Sequence, residues 1–289
     1  LDERRLRPGC DPHADATVPD VNFGARGRLD IPESKGRATG SRVVQRVVGH
    51  RHRGSPGLAY AMPTVRLQTA APLGARDIQP GDATMQSDSG NTVSVWMSTS
   101  KMPTFAALEE DLSCDVCIVG AGIVGLTAAY HLVRADADVV ILDDGPVCGG
   151  ETSRTTAHLS CVLDDRFQWL ERVHGEKRVR ESTASHMAAI NRIESIVREE
   201  SIACDFERVP GYLFLGKRES PEFLDRELAA AKRAGLTDAR KLERAPGLPW
   251  DSGPCLEFPM QAQFHPLKYL ASVTNAIVKG GGRIFTGTH

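Results

Sequence analysis

DVCIVGAGIVGLTAAYHLVRADADVVILD, residues 115–143, decides the fold. Its first apolar run, Val116 to Val119, is of the continuous kind carried by a strand buried on both faces. Gly120, Gly122 and Gly125 follow in G-x-G-x-x-G spacing, with Ala121 and Ile123 inside the turn. Ile123, Leu126, Ala129 and Leu132 then recur at helical steps, and Val139 to Leu142 forms a second buried run that Asp143 closes. Gly120 permits the tight turn out of the strand, Gly122 lets a pyrophosphate approach the backbone, and Gly125 lets the helix pack on the strand. The helix N-terminus offers free N–H groups to phosphate, and the acid ending the second strand suits ribose hydroxyls. A lone glycine triplet is a common turn. Here strand, helix and terminal acid all stand where dinucleotide binding needs them. One position departs from the pattern: Asp136 occupies the place of the glycine that usually ends the helix, and Asp tolerates the left-handed conformation better than most residues.

The 289 residues suffice for two domains, or for one large domain and a tail. A net charge of −2 gives no basic field that would point to nucleic acid or a membrane surface. No apolar run has the length of a membrane span, and the first residues lack the apolar core of a signal peptide. Seven scattered cysteines are expected to be reduced thiols in a cytoplasmic protein. Only Cys114 and Cys117 lie close in sequence, with no second pair to complete a zinc set, so no metal ligands are assigned.

Residues 1–84 hold eight of the 17 prolines, ten glycines and 12 arginines but only two aromatics, Phe23 and Tyr60. Such a segment buries too little apolar surface to offset its ordering entropy, so it is expected to be disordered or to be upstream sequence outside the natural product. Met85 is the expected start. VVQRVV (43–48) is its best strand candidate and stands isolated; Arg46, His50, Arg51, His52 and Arg53 form a basic cluster, read either as an arm or as solvated sequence without a role. Residues 85–114 read as an N-terminal arm, with Trp96, Met97, Phe105 and Leu108 able to pack on the adjoining domain and Pro103-Thr104 suited to open a helical turn.

After Asp143 comes DGPVCGGETSRTTAHLS. Gly145, Gly149 and Gly150 loosen the loop, while Thr152, Ser153, Thr155 and Thr156 supply hydroxyls and Arg154 a charge. Ser/Thr/Gly clusters usually end as solvated loops; directly after an acid-terminated strand, this one suits a second wall around a phosphate or sugar chain. His158 lies within it, either as a structural hydrogen-bonder or as a catalytic group.

Val179, His186/Met187, Ile190, Ile193 and Val197 form an amphipathic stripe in a helical region from Phe167 to Glu200, which Gly175 divides in two. Residues 204–218 predict two strands around a Pro210-Gly211 turn. Pro221 opens a helix with Phe223, Leu224, Leu228 and Ala231 inward and Gly235 at its end. Loops fill 245–254, a final helix runs from about Pro266 to Lys279, and RIFT (283–286) begins a strand. A parallel sheet needs more strands than these to cover its helices, so a chain truncated at its C-terminus is expected.

Taken in order, VGAGIVGLTAAYHL, VVILDDGP, GGETSRTTAHLS, FERVPGYLFL and QAQFHPLKYL resemble the FAD-dependent oxidoreductases of the glycine/D-amino-acid oxidase (DAO) family. TTAHL and QAQFHPLKYL resemble the branch whose members add a C-terminal Rieske domain; no cysteine here has a histidine two positions on, so that cluster's ligands are absent. The resemblance spans about residues 93–289. It implies an α/β fold: a doubly wound, Rossmann-like FAD-binding domain (115–165 and 261–289) interleaved with an α+β substrate domain (166–260). It also implies FAD as cofactor, an amine or amino acid as small-molecule substrate, hydride transfer to flavin, and an electron acceptor that the residues do not identify. The expected cofactor contacts are Gly120, Ala121, Gly122, Ile123, Gly125, Asp143, Asp144, Gly150, Thr152, Arg154, Thr155 and Thr156, with His158 near the flavin as the candidate catalytic residue. No substrate-binding cation is assigned. An NAD-dependent dehydrogenase built on the same βαβ unit and an inactive truncated fragment are the competing readings; the donor-rich loop after Asp143 favours FAD over NAD.

Overall fold

The structure, a computed structural model, describes Val43–Val48, Thr64–Thr69, 92–216 and 219–289, all within the unit Ala38–His289. β1 (Val43–Val48) pairs antiparallel with β2 (Thr64–Thr69). VVQRVV is therefore not isolated: the partner that local periodicity does not supply comes from sixteen or more residues further along the chain. The expectation of a segment without packed structure fails at β2, where Leu67 is buried; the other expectations for 1–84 lie largely outside the described residues. A short helix, α1 (Val95–Thr99), is capped by Ser94, whose hydroxyl accepts from Met97 N–H at 3.2 Å. Trp96 and Met97 pack on the main core.

Pro103-Thr104 opens no helical turn. The backbone there is satisfied from a distance instead: Thr286 N–H donates to Ala106 O at 3.2 Å and its hydroxyl to Phe105 O at 2.5 Å, while Leu108 N–H donates to Thr288 Oγ1 at 2.9 Å. β3 (Leu112–Cys114) then pairs antiparallel with β2.

The βαβ unit stands where the sequence puts it: β4 (Val116–Val119), α2 (Ile123–Val133) and β5 (Val139–Leu142), with β4 and β5 parallel. Asp136 has φ 59°, and Ala137 N–H donates back to Leu132 O at 3.1 Å, so Asp136 does end the helix in the left-handed conformation. All four β5 residues are buried. β4 is not, contrary to the expectation of a strand buried on both faces: three of its residues are half-buried and Val119 is 85% exposed. Its place in the sheet is the cause, since β4 forms an edge with a neighbour on one side alone among the described residues.

A single 3-10 turn (Glu151–Arg154) precedes β6 (His158–Leu159). Next come α3 (Phe167–His174) and α4 (Glu176–Glu199), divided at Gly175 with φ 79°. The fully buried Glu227 accepts from Phe167 N–H at 2.6 Å and Gln168 N–H at 3.2 Å, so its carboxylate satisfies the first turn of α3. β7 (Glu207–Phe214) is one strand rather than two about a turn. The register shifts between Val209 and Gly211, and this bulge accommodates Pro210, which has no N–H for the ladder.

α5 (Pro221–Arg233) buries Leu224, Glu227, Ala230 and Ala231, with Phe223 and Leu228 half-buried; Leu236 N–H returns to Ala231 O around Gly235, φ 106°. β8 (Arg240–Leu242), β9 (Cys255–Gln263), α6 (Pro266–Lys279) and β10 (Arg283–Phe285) complete the described elements. β9 lies in a stretch that reads only as loop and lead-in. It is the centre of an antiparallel sheet, with β7 along one edge and β6 and β8 at the two ends of the other.

β10 joins β5 to give a parallel sheet of order β10-β5-β4. α2 and α6 approach closely beside it: a Cβ on Gly280 would come within 2.4 Å of Val133 Cγ1. One buried cluster joins α2, β5 and α6 (Leu126, Tyr130, Ile141, Tyr269, Leu270, Ile277), and a second sets Leu256 and Phe258 of β9 against Phe167, Val179 and Leu224. Among the described residues no helix is long and apolar enough to cross a membrane.

Candidate cofactor site

The three glycines of the turn are needed for three different reasons. Gly120 has φ 101°, a conformation that L side chains rarely adopt. A Cβ on Gly125 would lie 1.9 Å from Gly120 O, so α2 can pack on the strand end only without one. Gly122 is different: φ is −83°, and a Cβ there would meet nothing nearer than the Thr152 hydroxyl at 3.2 Å. Neither backbone conformation nor internal packing demands glycine at 122. What a side chain would fill is the space in front of the first turn of α2, where N–H groups and the helix dipole favour an anion.

Three segments converge on that space. Asp143 reaches back to the turn, its Oδ2 accepting from Ala121 N–H at 2.5 Å and its Oδ1 from Gly145 N–H at 2.8 Å. Thr152 Oγ1 accepts from Ile123 N–H at 3.2 Å. Cys148 N–H donates to Ala121 O at 3.1 Å, tying the loop to the turn. Burial, with Asp143 nearby, pushes the Cys148 thiol up to about 12, so it stays neutral beside the carboxylate. A glycine cradle, a helix N-terminus, a hydroxyl and a strand-end carboxylate thus fit the pyrophosphate and ribose of a dinucleotide.

Gly120, Ala121, Gly122, Ile123, Gly125, Asp143 and Thr152 are brought together. The others are not. Asp144 is exposed and turns toward His289, 3.8 Å away. Gly150 is the exposed N-cap of the 3-10 turn, and Thr156 is exposed. Arg154 donates to Thr92 O at 2.6 Å, and Thr155 Oγ1 accepts from Ala157 N–H at 3.2 Å. His158 sits exposed in β6 opposite Gln263. Arg208, which the sequence does not assign as a substrate cation, is held by Glu194 Oε2 at 2.6 Å, Asn191 Oδ1 at 2.6 Å and Met260 O at 2.8 Å.

His265, which the sequence offers only as part of a motif, caps α6. Its Nδ1 accepts from Lys268 N–H at 3.2 Å, which leaves the ring proton on Nε2, facing Thr99 Oγ1 at 2.9 Å. Burial, then the Lys268 charge, lowers the His265 pKa below its ordinary 6.5; Asp205, paired with Lys268 at 2.7 Å, opposes that shift. The fold therefore selects neutral His265. Its contribution to stability is complete above pH 6.5 and is lost as pH falls from there through the depressed folded-state value. Thermal unfolding of the protein and of His265→Asn from pH 7.5 to 5 should show the steeper loss on acidification in the unaltered protein. Parallel curves would exclude His265 as the group responsible.

The fold and the geometry of the turn are those of an α/β dinucleotide-binding domain. A family model described as FAD dependent oxidoreductase (DAO) matches residues 115–289, and the chain belongs to that family, whose cofactor is FAD. YhfW of Bacillus subtilis (strain 168), named as a Rieske 2Fe-2S iron-sulfur protein, is 34% identical over 193 residues, covering 67% of this chain and 38% of its own. The gamma-glutamylputrescine oxidoreductase of Escherichia coli (strain K12) is 27% identical over 194 residues, 65% of this chain and 45% of its own. The chain thus spans about two fifths of the length of the curated relatives it matches. The L-amino acid deaminase of Proteus myxofaciens, solved with anthranilate, shares the fold with a TM-score of 0.50 at 16% identity, over 65% of this chain and 42% of that one.

Proposed function

We propose that the protein oxidises a small amine or amino acid, using FAD held at the turn of β4 and α2. The observation that carries this reading is the convergence of Gly122, Asp143 and Thr152 on one cradle in a chain of this family. In the proposed site the first turn of α2 and the Thr152 hydroxyl hold the pyrophosphate, and Asp143 takes the ribose hydroxyls. Asp144, Gly150, Arg154, Thr155 and Thr156 belong to the surrounding wall rather than to the cradle itself. When bound, flavin supplies the chemistry: it accepts the hydrogen and electron pair from the carbon next to nitrogen, leaving an imine that water hydrolyses. The protein's share is binding, orientation and exclusion of water. His158 is retained as a candidate on the flavin side of the loop. The relatives' names support amine or amino-acid donors for the substrate. The second buried cluster, drawn wholly from 166–260, supports a substrate region there beside a cofactor region (115–165 and 261–289), while Ile196, Ile202 and Cys204 of 166–260 pack into the cofactor region's core. A cytoplasmic location is supported by the free thiols of Cys114, Cys117, Cys148, Cys161, Cys204 and Cys255.

The test is spectroscopic. The purified protein should show bound-flavin absorbance, bleached under anaerobic conditions by at least one member of a panel of primary amines and amino acids. A colourless protein that binds NAD would overturn the reading.

A further inference from the structure

Residues 92–99 and the loop at 151–156 lie 59 to 62 positions apart in sequence and are fastened together. Ser94 Oγ donates to Ser153 O at 2.6 Å, and Trp96 Nε1 donates to Thr155 O at 2.8 Å. Arg154 Nη1 donates the other way, to Thr92 O at 2.6 Å and Thr92 Oγ1 at 3.1 Å. The far end of α1 is anchored to α6: the Trp96 ring stands edge-on to His265 with centroids 5.0 Å apart, and Thr99 Oγ1 lies 2.9 Å from His265 Nε2. Between these anchors the loop has little structure of its own, a single 3-10 turn closed by Ser153 N–H to Gly150 O at 3.3 Å. Its Thr152 hydroxyl nevertheless has to stand at the first turn of α2. The bonds to Ser153 and Thr155 fix the backbone on the C-terminal side of Thr152.

We infer that residues 92–99 are a strap that positions the cofactor loop, with Trp96 as its chief positioning residue, and that occupancy of the cradle and closure of the strap are coupled. This rests on the assignment of FAD to the cradle. Since the strap holds the loop in the arrangement that FAD binds, the linkage is reciprocal: a closed strap raises FAD affinity, and FAD holds the strap closed.

Trp96→Phe keeps an aromatic ring for His265 and removes the N–H that Thr155 O accepts, together with part of the ring that packs on the main core. In the holoprotein this variant should raise the FAD dissociation constant about five- to tenfold, the loss expected of one hydrogen bond to a placed carbonyl. The melting temperature of the FAD-free protein should fall by only about 2–4 °C, the share of one hydrogen bond, whereas a merely structural role for Trp96 would leave FAD affinity where it was. Tryptic cleavage after Lys101, exposed just beyond the strap, should be slowed by FAD, and less so in the variant. An unchanged FAD affinity in Trp96→Phe, or cleavage at Lys101 indifferent to FAD, overturns the strap. If Trp96→Phe lowers the FAD-free melting temperature by more than that, protection of Lys101 in the unaltered protein decides alone. Gly122→Val, measured alongside, keeps the two readings apart. If that variant retains FAD the cradle itself is wrong; if it loses FAD while Trp96→Phe does not, only the strap falls.

Discussion

Gly125→Ala is expected to lower the melting temperature by roughly 6–12 °C and to strip the protein of FAD. The added methyl would lie 1.9 Å from Gly120 O, 3.1 Å from Gly120 C and 3.2 Å from Ile118 Cγ2. The nearest two of those atoms are backbone, so no rotamer change relieves the contact. α2 must move off the end of β4 by more than an ångström, taking Leu126 and Tyr130 with it out of the main core. Overpacking of this kind costs about 3 kcal/mol, and each kcal/mol shifts melting by about 2–4 °C in a chain of this size. Gly122→Val provides the contrast, since its Cβ would meet only the Thr152 hydroxyl. Helical circular dichroism should survive there while flavin retention is lost. Wild-type melting of Gly125→Ala would show that the turn relaxes in a way its packing does not allow for.

Asp143→Ala should act on both stability and affinity. Its two oxygens satisfy the N–H groups of Ala121, which is fully buried, and Gly145. Leaving such donors without an acceptor costs about 1–3 kcal/mol each, and the ribose loses its acceptor as well. FAD affinity should fall by about one to two powers of ten, at about 1.4 kcal/mol per tenfold. Turnover at saturating FAD should barely move, since the ribose lies far from the reacting end of the flavin. Asp144→Ala should cost little, because that side chain points into solvent beside His289. If titration finds the loss in Asp144→Ala instead, the ribose ligand has been assigned one residue out of place.

The parts of the fold that sequence revealed are those whose determinants are local. Glycine spacing and two apolar runs fix β4, α2 and β5; Gly175 with positive φ divides α3 from α4; Gly235 ends α5. Asp143 and Thr152 were legible as residues of the candidate site because Asp143 ends the second strand of the βαβ unit, which returns it to the turn, and Thr152 follows in the loop directly after it. β9 was hidden for a different reason. It carries Glu257, Pro259 and Gln261 among its apolar residues, and the Glu257 carboxylate is buried only because Arg240 and Tyr212, on neighbouring strands, pair with it. Pro210 suggests a turn in isolation and becomes a bulge only when β9 lies alongside. Trp96 reads as a packing residue until the loop it fastens is in place. The exposure of Val119 likewise depends on which strands flank β4, which no run of apolar residues records.

The central place of β9 also orders events at the ribosome. β6, β7 and β8 all leave the exit tunnel before the strand they pair with. Cys255 follows Phe214 by 41 positions, about 2–8 s of synthesis at 5–20 residues per second. β5 follows β4 by 20 positions, about 1–4 s, so the βαβ unit can close before β7 and β8 are made, and those strands then wait for β9. During that wait they are open to pairing with a neighbouring nascent chain. Arg208 and Pro210 on β7, and Arg240 and Lys241 on β8, are residues of the kinds that discourage such pairing. The same side chains that ornament the finished sheet thus serve as gatekeepers for the unfinished one.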